Sequence, residues 1–588
     1  MKDEQIVIIG AGPAGLTAAY EFIKLGIRPI VIEKADKVGG IARTESYKEY
    51  SFDMGGHRFF TKISKINRMW KEMLGENLLK VSRVSRIYYK GRFFNYPLEI
   101  SNALFNLGMI ESLLILLSYI KAQIRPYPGE ETFEQWVSNR FGQRLYQTFF
   151  KIYTEKVWGI PCRQIRADWA AQRIKGLSLM AALINSLLDI QKAKTLINEF
   201  YYPLRGPGMM WRRFQEYIEE RGGQVIFNSE VIGLKHENGS LVSVTFNKDD
   251  KITEILASHL ISTIPIPGLI SMLEPSAPEK VLDAANKLSY RAFIIVMLIV
   301  DQKDIFPDQW IYIHSPDVRV GRIQNFKNWS AAMVPDPNKT SIGMEYFCNE
   351  EDEIWDMTDE DLVNLASEEL LQIGLADQSD IVDSYVVRQP TAYPVYDEGY
   401  KDNLHVIREY LGTIENLQTI GRSGTHRYNN MDHSMLTGIL AVQNYSGSPH
   451  DLWNVNEEEE YLEEDKKVID SRLVIERIVG QTFARMDKLA FATAIGTTSG
   501  LLIFLATIWL VIKGGEVIGP NLQLLSQYFI GYTVTLKGSL IAFGYSFVWG
   551  FLFGWLFAYL RNLSLGLYVF WVKKKTEILT LKDFFDYI

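Results

Sequence analysis

Cysteine is scarce in this chain, and positive charge is not in excess. Only Cys162 and Cys348 occur in 588 residues, far apart and without the close spacing of metal ligands. We therefore expect neither a disulfide framework nor a zinc site, and we predict no bound metal. The formal net charge is −8, so the chain has no basic field for nucleic acid. Nucleic-acid-binding functions are excluded on this ground.

An apolar run at residues 6–9 passes directly into glycines with the spacing G-x-G-x-x-G. A strand buried on both faces is continuously apolar, and such glycines permit a tight turn, close approach of a pyrophosphate and packing of the next helix. A second apolar strand ends at Glu33, where a ribose hydroxyl needs an acceptor. The pattern predicts a Rossmann-like dinucleotide-binding domain in an α/β fold. Its predicted cofactor-binding residues are Gly10, Gly12, Pro13, Ala14, Gly15, Glu33 and Lys34.

Two further segments are rich in glycine, one at residues 39–44 and one at residues 52–57. They resemble segments of the flavin-containing superfamily that includes amine oxidases, protoporphyrinogen oxidase, phytoene desaturase and UDP-galactopyranose mutase. In that superfamily the first segment wraps the FAD diphosphate, and the second lies beside the isoalloxazine ring. The resemblance implies FAD as cofactor in place of NAD. The binding residues it adds are Gly40, Ile41, Ala42, Arg43, Gly55, Gly56 and His57.

Residues 153–159, Tyr-Thr-Glu-Lys-Val-Trp-Gly, narrow the resemblance to UDP-galactopyranose mutase, and only Val157 departs from the mutase segment. The resemblance implies that Trp158 lies at a sugar site and that Arg173, from a loop, reaches the substrate diphosphate. It also implies that Arg322 lies near the flavin or the substrate phosphates and that Tyr393 contacts phosphate. The predicted catalytic residues are Arg173, Arg322, His57, Trp158 and Tyr393.

The segment at residues 419–432 is the last part of the resemblance, and it matches the mutase pattern G-R-x-x-x-Y-R-Y-x-x-M-D closely except at its first tyrosine, where His426 stands. A strand, a glycine and a helix N-terminus at this point would direct backbone N–H groups to the flavin. The superfamily also implies a backbone contact from Val231 to adenine. The predicted cofactor-binding residues here are Val231, Gly421, Arg422, Asn430, Met431 and Asp432.

The stretch from Leu104 to Ile124 is strongly apolar and helical in spacing, but it contains Glu111 and Lys121 and is short for a membrane span. Two interpretations stay open. The helix belongs to the core, or it lies on a membrane or against a lipid substrate.

Two uncharged stretches near the C-terminus, at residues 491–512 and 538–560, are each long enough to cross about 30 Å of hydrocarbon. Within the second stretch, Gly544, Gly550 and Gly554 are expected to allow close helix contact. Lysine and arginine are concentrated before the first stretch and after the second, which predicts that both flanks face the cytoplasm. The N-terminus has no cleavable apolar segment, which agrees with a cytoplasmic catalytic part. We predict a two-span protein of the inner, or cytoplasmic, membrane.

We therefore predict a Rossmann-like FAD-binding domain with a helical insert, a mainly antiparallel substrate-domain sheet and a C-terminal transmembrane hairpin. The predicted parts are the FAD-binding domain at 1–95, 203–285 and 400–450, the helical region at 96–202, the sheet at 286–399, the linker at 451–490, the hairpin at 491–560 and the cytoplasmic tail at 561–588.

The first functional hypothesis is a mutase that interconverts pyranose and furanose forms of a diphosphate-activated sugar, nucleotide-linked or lipid-linked. The alternative is an FAD-dependent oxidoreductase that acts on an apolar or polyprenyl substrate. Two departures from the mutase pattern favour the alternative: the second arginine of the loop after Arg173 is missing, and Phe60 replaces the second histidine. Membrane lipid is an expected partner, and the sequence leaves open whether the chain forms a homo-oligomer.

Overall fold

The computed structural model describes residues 5–96, 106–167, 199–455, 486–515 and 519–585. The predicted catalytic residue Arg173 lies outside these ranges, as do most of the basic residues expected before the first apolar stretch. The chain divides into two compact units, Met1–Asp465 and Lys466–Ile588.

The strands and the principal helices are numbered in chain order. The strands are β1 Ile6–Ile9, β2 Ile30–Ile32, β3 Thr44–Tyr47, β4 Tyr50–Asp53, β5 Leu78–Ser82, β6 Ser85–Tyr89, β7 Arg92–Asn95, β8 Glu199–Pro203, β9 Gln224–Ile226, β10 Ser229–Glu237, β11 Ser240–Lys248, β12 Lys251–Leu256, β13 His259–Ser262, β14 Leu273–Glu274, β15 Tyr290–Val300, β16 Trp310–Ile313, β17 Arg322–Asn325, β18 Thr340–Cys348, β19 Ile381–Pro394 and β20 Leu417–Thr419. The helices are α1 Pro13–Lys24, α2 Ser64–Leu74, α3 Met109–Ile124, α4 Phe133–Phe141, α5 Gln143–Leu145, α6 Ile152–Trp158, α7 Gly208–Glu219, α8 Ile266–Ser271, α9 Glu279–Asn286, α10 Phe326–Trp329, α11 Glu353–Asp356, α12 Asp359–Ile373, α13 Tyr400–Leu411, α14 Gly421–Gly424, α15 Met431–Tyr445, α16 Lys488–Lys513, α17 Pro520–Gln523 and α18 Leu536–Phe585.

A five-stranded parallel sheet in the order β20-β13-β1-β2-β9 forms the base of the first unit. β1 is buried along its whole length between β2 and β13. Its alternate residues enter different cores, because Ile8 packs in the cluster with helices α1, α7 and α15, whereas Val7 packs in the cluster with β10 and β11. Both faces of the sheet are thus covered, which explains why β1 is continuously apolar. The predicted Rossmann-like α/β domain is confirmed.

A four-stranded sheet, β12-β11-β10-β14, lies in the core on the second face. β10 and β11 form a hairpin across the dipeptide Asn238-Gly239, with Glu237 paired to Ser240. Asn238 and Gly239 both have positive φ, 51° and 77°, which is the requirement of a type I′ turn.

A seven-stranded sheet has the order β19-β15-β18-β17-β16-β6-β7. All neighbouring strands are antiparallel except β16 and β6, which are parallel. β15 is the most buried strand, and it pairs with β18 on one side and β19 on the other. The sheet is therefore mainly antiparallel, as predicted. It also extends beyond the expected range of 286–399, because β6 and β7 come from the first hundred residues.

Helices α3 to α6 and a π-helical turn at Tyr146–Lys151 form the helical region between β7 and β8. Thr132 and Gln135 make a capping box at the start of α4. α6 carries the mutase-like segment toward the seven-stranded sheet, and the ring of Tyr153 meets Tyr312 of β16 edge-on at 5.3 Å. This region therefore supplies side chains to the same area as the sheet does.

The second unit consists mainly of α16 and α18, which pack against each other. Both contain segments that are long and apolar enough to cross a membrane, Lys488–Lys513 and Leu536–Ser564. Gly550 and Gly554 allow the close contact that was expected, with Cβ positions 3.0 Å from backbone atoms of Gly496 and Ala492. The expectation for Gly544 was wrong, because nothing lies within 4 Å of its Cβ position.

Candidate active site

The turn between β1 and α1 places Glu33 beside the glycine motif. Gly10 has a φ of +96°, which an L side chain rarely adopts. The N–H of Ala11 donates to Glu33 Oε2 at 2.6 Å, and the N–H of Ala35 donates to Oε1 at 2.8 Å. Burial raises the pKa of Glu33 above its ordinary value, although these N–H groups act in the opposite direction. The carboxylate is therefore held at the carboxyl end of β2, close to the turn.

The segment at residues 39–42 lies against the same turn. The N–H of Gly39 donates to the carbonyl of Ala11 at 2.8 Å, and a Cβ on Gly40 would lie 3.4 Å from Gly12 Cα. A Cβ on Gly15 would lie only 2.0 Å from the carbonyl oxygen of Gly10, so α1 packs on the turn without any side chain between them. The first N–H groups of a helix have no partner within the helix. This backbone cradle suits a phosphate.

The segment at residues 419–432, which is predicted to contact the flavin, packs against this cradle. A Cβ on Gly421 would lie 3.0 Å from Ala14 Cβ, and a Cβ on Gly438 of α15 would lie 2.5 Å from the carbonyl oxygen of Ala14. The N–H of Gly421 donates to Thr437 Oγ1 at 3.0 Å, which fixes the segment to α15. The two halves of the predicted FAD site, far apart in sequence, therefore converge. An acidic ribose acceptor, a side-chain-free cradle and this second segment together fit FAD.

Arg43 connects the FAD-binding segment to the seven-stranded sheet. Its Nη1 donates to the carbonyl of Gly40 at 3.0 Å and to Gln389 Oε1 of β19 at 2.8 Å. Its Nε donates to the buried carboxylate of Glu45. Burial alone would raise the pKa of Glu45, but hydrogen bonds from Lys37 and Arg43 outweigh it and the pKa is lowered. The Arg43 side chain is therefore fixed in place, and Glu45 offsets part of its charge.

The turn at Gly55–His57 is surrounded by cations. His57 Nδ1 lies 3.1 Å from the carbonyl oxygen of Gly55. Burial, followed by the charges of Arg422, Arg322 and Arg43, lowers the pKa of His57 to about 3. The imidazole is therefore neutral at physiological pH. If Nδ1 donates to the Gly55 carbonyl, Nε2 is left as a hydrogen-bond acceptor.

Arg322 lies beside this turn at the start of β17, with Nη2 3.4 Å from the Cβ position of Gly55. Its Nε and Nη2 both lie 2.6 Å from Oε2 of Glu345, a carboxylate with no exposed surface. Gln324 Nε2 donates to the other oxygen of Glu345 at 2.8 Å. Burial opposes the charge of Arg322, but Glu345 outweighs it and the pKa of Arg322 lies well above its ordinary value. The guanidinium is charged and held in one orientation.

Tyr393, Tyr428 and Arg422 form an aromatic and cationic group next to Arg322. The rings of Tyr393 and Tyr428 stack at 5.6 Å, and the guanidinium carbon of Arg422 lies 4.6 Å from the centre of the Tyr428 ring. Arg422 donates to the carbonyls of Asn429 and Ala392. Burial raises the pKa of the Tyr393 phenol above its ordinary value, so it stays protonated. The predicted residues His57, Arg322, Arg422 and Tyr393 thus share one region.

Trp158 lies one ring away from this region. Its indole is only 3% exposed and packs 6.2 Å from Tyr428 and 5.7 Å from Tyr396, measured between ring centres. The indole is part of the core cluster and offers little open surface to a sugar. Its role at a sugar site stays a prediction.

A model of the family described as flavin containing amine oxidoreductase matches residues 13–444. The chain belongs to this family. It is accordingly an FAD-dependent flavoenzyme, and the expectation of FAD is confirmed.

Relatives within the amine oxidoreductase family match parts of the chain. An L-amino-acid oxidase of Crotalus adamanteus is 31% identical over 326 residues, which cover 51% of this chain and 58% of the relative. A probable flavin-containing monoamine oxidase A of Dictyostelium discoideum is 31% identical over 133 residues, 21% of this chain and 27% of the relative. The matches thus span 27% to 58% of the length of these relatives.

Solved structures show that the fold is shared with proteins of differing activity. A reduced UDP-galactopyranose mutase superposes with a TM-score of 0.69 and 22% identity, covering 78% of this chain and 99% of the mutase. A redesigned putrescine oxidase superposes with a TM-score of 0.52 and 17% identity, covering 76% of this chain and 99% of the oxidase. At such identities the likeness concerns the fold.

The other predicted cofactor residues fall in different surroundings. Val231 is buried in β10, whereas Lys34 is exposed and pairs with Glu230 at 2.7 Å. Asn430 precedes the first residue of α15, and Met431 and Asp432 begin that helix with buried side chains. Lys34 is therefore placed as a surface residue of this flavoenzyme.

Sequence reasoning missed several residues of the region. Glu345 and Gln324, which orient Arg322, lie on neighbouring strands of the seven-stranded sheet, so their proximity depends on register. The sequence indicates Asp53 only as part of the segment at residues 52–57. In the structure, the hydroxyl of Tyr202 donates to its carboxyl group at 2.6 Å and the hydroxyl of Thr44 at 2.8 Å. Two signals in the sequence could have identified Gln324 and Glu345: Gln324 alternates with Arg322 in β17, and Glu345 is the one charged residue in the mostly apolar strand β18. Among the described residues no cluster of three potential metal ligands occurs, and both cysteines are buried thiols.

Proposed function

We propose that this flavoenzyme interconverts pyranose and furanose forms of a diphosphate-activated sugar, nucleotide-linked or lipid-linked. The observation that supports this most is the grouping of Arg322, Arg422 and Tyr393 beside the Gly55–His57 turn. Glu345 pairs with Arg322, and Glu45 is shared between Arg43 and Lys37, whereas Arg422 is hydrogen-bonded to backbone carbonyls. The region therefore keeps a net positive charge, which suits a diphosphate.

The side chains have separate tasks in this proposal. Bound FAD supplies the redox-active isoalloxazine ring. Arg322, oriented by Glu345, and Arg422 hold the substrate phosphates, and the protonated Tyr393 hydroxyl donates a further hydrogen bond. The neutral His57 offers Nε2 to a sugar hydroxyl. Since these groups are fixed by buried partners, the substrate is oriented without large side-chain rearrangement.

A second candidate is FAD-dependent oxidation or desaturation of an apolar or polyprenyl substrate. Three observations favour it: Glu345 already compensates Arg322, Trp158 is buried, and Phe60 replaces the second histidine of the mutase pattern. The curated relatives named above are oxidases of amines and amino acids, which supports the same class of reaction.

We also propose that α16 and α18 span the inner, or cytoplasmic, membrane as a hairpin with the flavin unit on the cytoplasmic side. At 1.5 Å per residue, the 26 residues of α16 exceed the ~30 Å of hydrocarbon. Lys488 at the start of α16 and Arg561 in α18 agree with cytoplasmic flanks by the positive-inside tendency.

Two parallel incubations distinguish the two reactions. The full-length enzyme in detergent is reduced anaerobically and incubated with UDP-galactopyranose, and the nucleotide sugars are resolved by chromatography. The mutase proposal predicts the furanose form with no net consumption of reductant. In a parallel incubation the oxidised enzyme is mixed anaerobically with an apolar or polyprenyl substrate. Reduction of one flavin per product there, with no furanose formed by the reduced enzyme, would establish the oxidoreductase.

Two arginine variants test the diphosphate site. Arg322→Ala and Arg173→Ala should retain flavin but lower kcat/KM. The loss of transition-state stabilisation should be about 2–3 kcal/mol, the scale of a lost charge-assisted hydrogen bond. Arg213→Ala is the matched control, because that side chain lies on the surface of α7 and pairs with its helix neighbour Glu216 at 2.8 Å. Full activity in both variants would contradict the proposed site.

A further inference from the structure

Helix α3 presents its most apolar face to solvent. The exposed aliphatic side chains have the spacing of one helical face, and their exposed fractions run from 36% at Leu114 to 80% at Ile110. They are Ile110, Leu113, Leu114, Leu116, Leu117, Ile120 and Ile124. We call this set the α3 stripe. The sequence left open whether this helix belongs to the core, and the exposure of the stripe shows that this face does not.

The opposite face of α3 is occupied, so the helix cannot rotate to bury the stripe. Ile115 and Tyr119 are buried in the core, and a Cβ on Gly142 would lie 2.7 Å from the backbone nitrogen of Tyr119. Arg144 fixes α3 by two contacts. Its Nε lies 2.6 Å from Glu111 Oε1, and its backbone N–H donates to Ser118 Oγ at 3.0 Å. The side of α3 that carries Glu111 and Ser118 therefore faces the protein, and the aliphatic stripe faces solvent. An ordinary surface helix has the opposite orientation.

We propose that the α3 stripe is a docking surface for the lipid bilayer, into which it inserts parallel to the membrane plane. A contiguous aliphatic patch of this kind is rare on a soluble monomer and marks an interaction surface. The choice of a bilayer rests in part on the membrane tether proposed above, since such a tether would keep this unit close to lipid. The stripe would be a second contact, independent of the two spans.

The charges around the α3 stripe also favour lipid over a second copy of the chain. Lys121 is exposed within the stripe and Arg125 follows its end. A lysine stem lies along apolar groups while its ammonium reaches lipid phosphate, and Tyr127, 43% exposed, is of the type found at membrane interfaces. In a symmetric dimer the same stripe would face itself and bring the like charges of the two copies together.

Fluorescent labelling of the full-length protein tests the docking. Leu117→Cys and Leu113→Cys variants, labelled with an environment-sensitive NBD dye, are reconstituted into phosphatidylcholine and phosphatidylglycerol vesicles that contain spin-labelled lipid. Labelling is confined to the new cysteine because Cys162 and Cys348 are buried. Ile252→Cys, on the edge strand β12 and 67% exposed, is the matched control, and Leu505→Cys reports on α16.

Docking predicts a blue shift and quenching by lipid at positions 113 and 117 but not at 252. Quenching at 505 without quenching at 113 and 117 would overturn the docking, while the membrane span of α16 would still be supported. Quenching at 113 and 117 without quenching at 505 would support docking and overturn the tether. Energy transfer between copies labelled at 117, without lipid quenching, would assign the stripe to a dimer and overturn the proposal.

Discussion

Asp53 is a carboxyl group that folding removes almost completely from water. It is 1% exposed at the end of β4, and its hydrogen-bond partners are the hydroxyls of Tyr202 and Thr44. Burial raises the pKa of Asp53 to about 7, although both hydroxyls act to lower it. A neutral carboxyl at low pH can remain in this place at little cost, whereas no cation among the described residues pairs with an ionised one.

The free energy of unfolding should therefore fall as the pH rises from about 4 to about 7. In this window the folded state holds a proton that the unfolded state has released, so stability decreases with pH by up to about 4 kcal/mol in total and then levels off. Asp53→Asn keeps the shape and removes the ionisation, so the variant should lose this dependence and be more stable than the native protein at pH 8. Thermal unfolding of the FAD-loaded proteins at pH 5 and pH 8 measures the difference.

The exposed Asp36→Asn variant serves as the control, because its 69% exposed side chain stays hydrated in the folded protein. Identical pH dependence in the native protein and in Asp53→Asn would show that this carboxyl does not titrate in the window.

At the residue scale, the sequence was informative where chemistry depends on a local motif. Gly10, Gly12 and Glu33 could be assigned because strand, turn and helix follow one another within a few residues. The partner of Arg322 could not, since Glu345 lies on another strand and meets it through sheet register alone. The resemblance implies a sugar site for Trp158, but its packing against Tyr396 and Tyr428 depends on tertiary structure and could not be read from the motif.

The contact between helices α1 and α15 brings together the two halves of the candidate FAD site. α15 crosses α1 at Gly438, where the nearest atoms to an added Cβ are the carbonyl oxygen of Ala14 at 2.5 Å and the backbone nitrogen of Ala18 at 3.0 Å. Backbone atoms of a helix cannot move aside as a flexible side chain can. The position of the Gly421 segment therefore depends on the absence of a side chain at 438.

Gly438→Ala should push α15 away from α1 and weaken both folding and flavin binding. An added methyl group in a close-packed contact costs about 1–3 kcal/mol, and the displaced Gly421 segment should also lower flavin occupancy. Gly268→Ala is the control, because this helical glycine in α8 has nothing within 4 Å of its Cβ position and alanine is the better helix former. Melting temperature and visible flavin absorbance of the two purified variants give the comparison, and equal values would refute the packing argument.

Elements with a strong period were predictable, and their burial was less so. β1 and the helix after residue 430 occur where the sequence indicated them. Pairing of β6 with β16 was not predicted, because strand neighbours across more than 200 residues leave no local signal. The environment of α3 stayed open for a related reason: an apolar helical run has the same pattern whether protein or lipid covers it.

At the scale of the whole molecule, the flavin unit has a boundary that can be placed by packing. The first unit ends near Asp465. α15 ends at Tyr445, but Leu452 beyond it is 6% exposed and Trp453 packs against the core clusters of the parallel sheet. Asp451 also pairs with Arg408 of α13 at 2.8 Å. The chain thus continues to contribute to the flavin unit for several residues after its last helix.

We predict that a fragment of residues 1–455 folds and binds FAD without the second unit, because it contains every strand of the described sheets and the segment that closes the core. A fragment of residues 1–447 should be less stable by about 2–5 kcal/mol, since it exposes the surface that Leu452 and Trp453 cover. Flavin content and melting temperature of both fragments, kept in mild detergent to cover the α3 stripe, decide between the two boundaries. Equal stability would show that residues 448–455 are dispensable, and loss of flavin from 1–455 would show that the second unit is needed for folding.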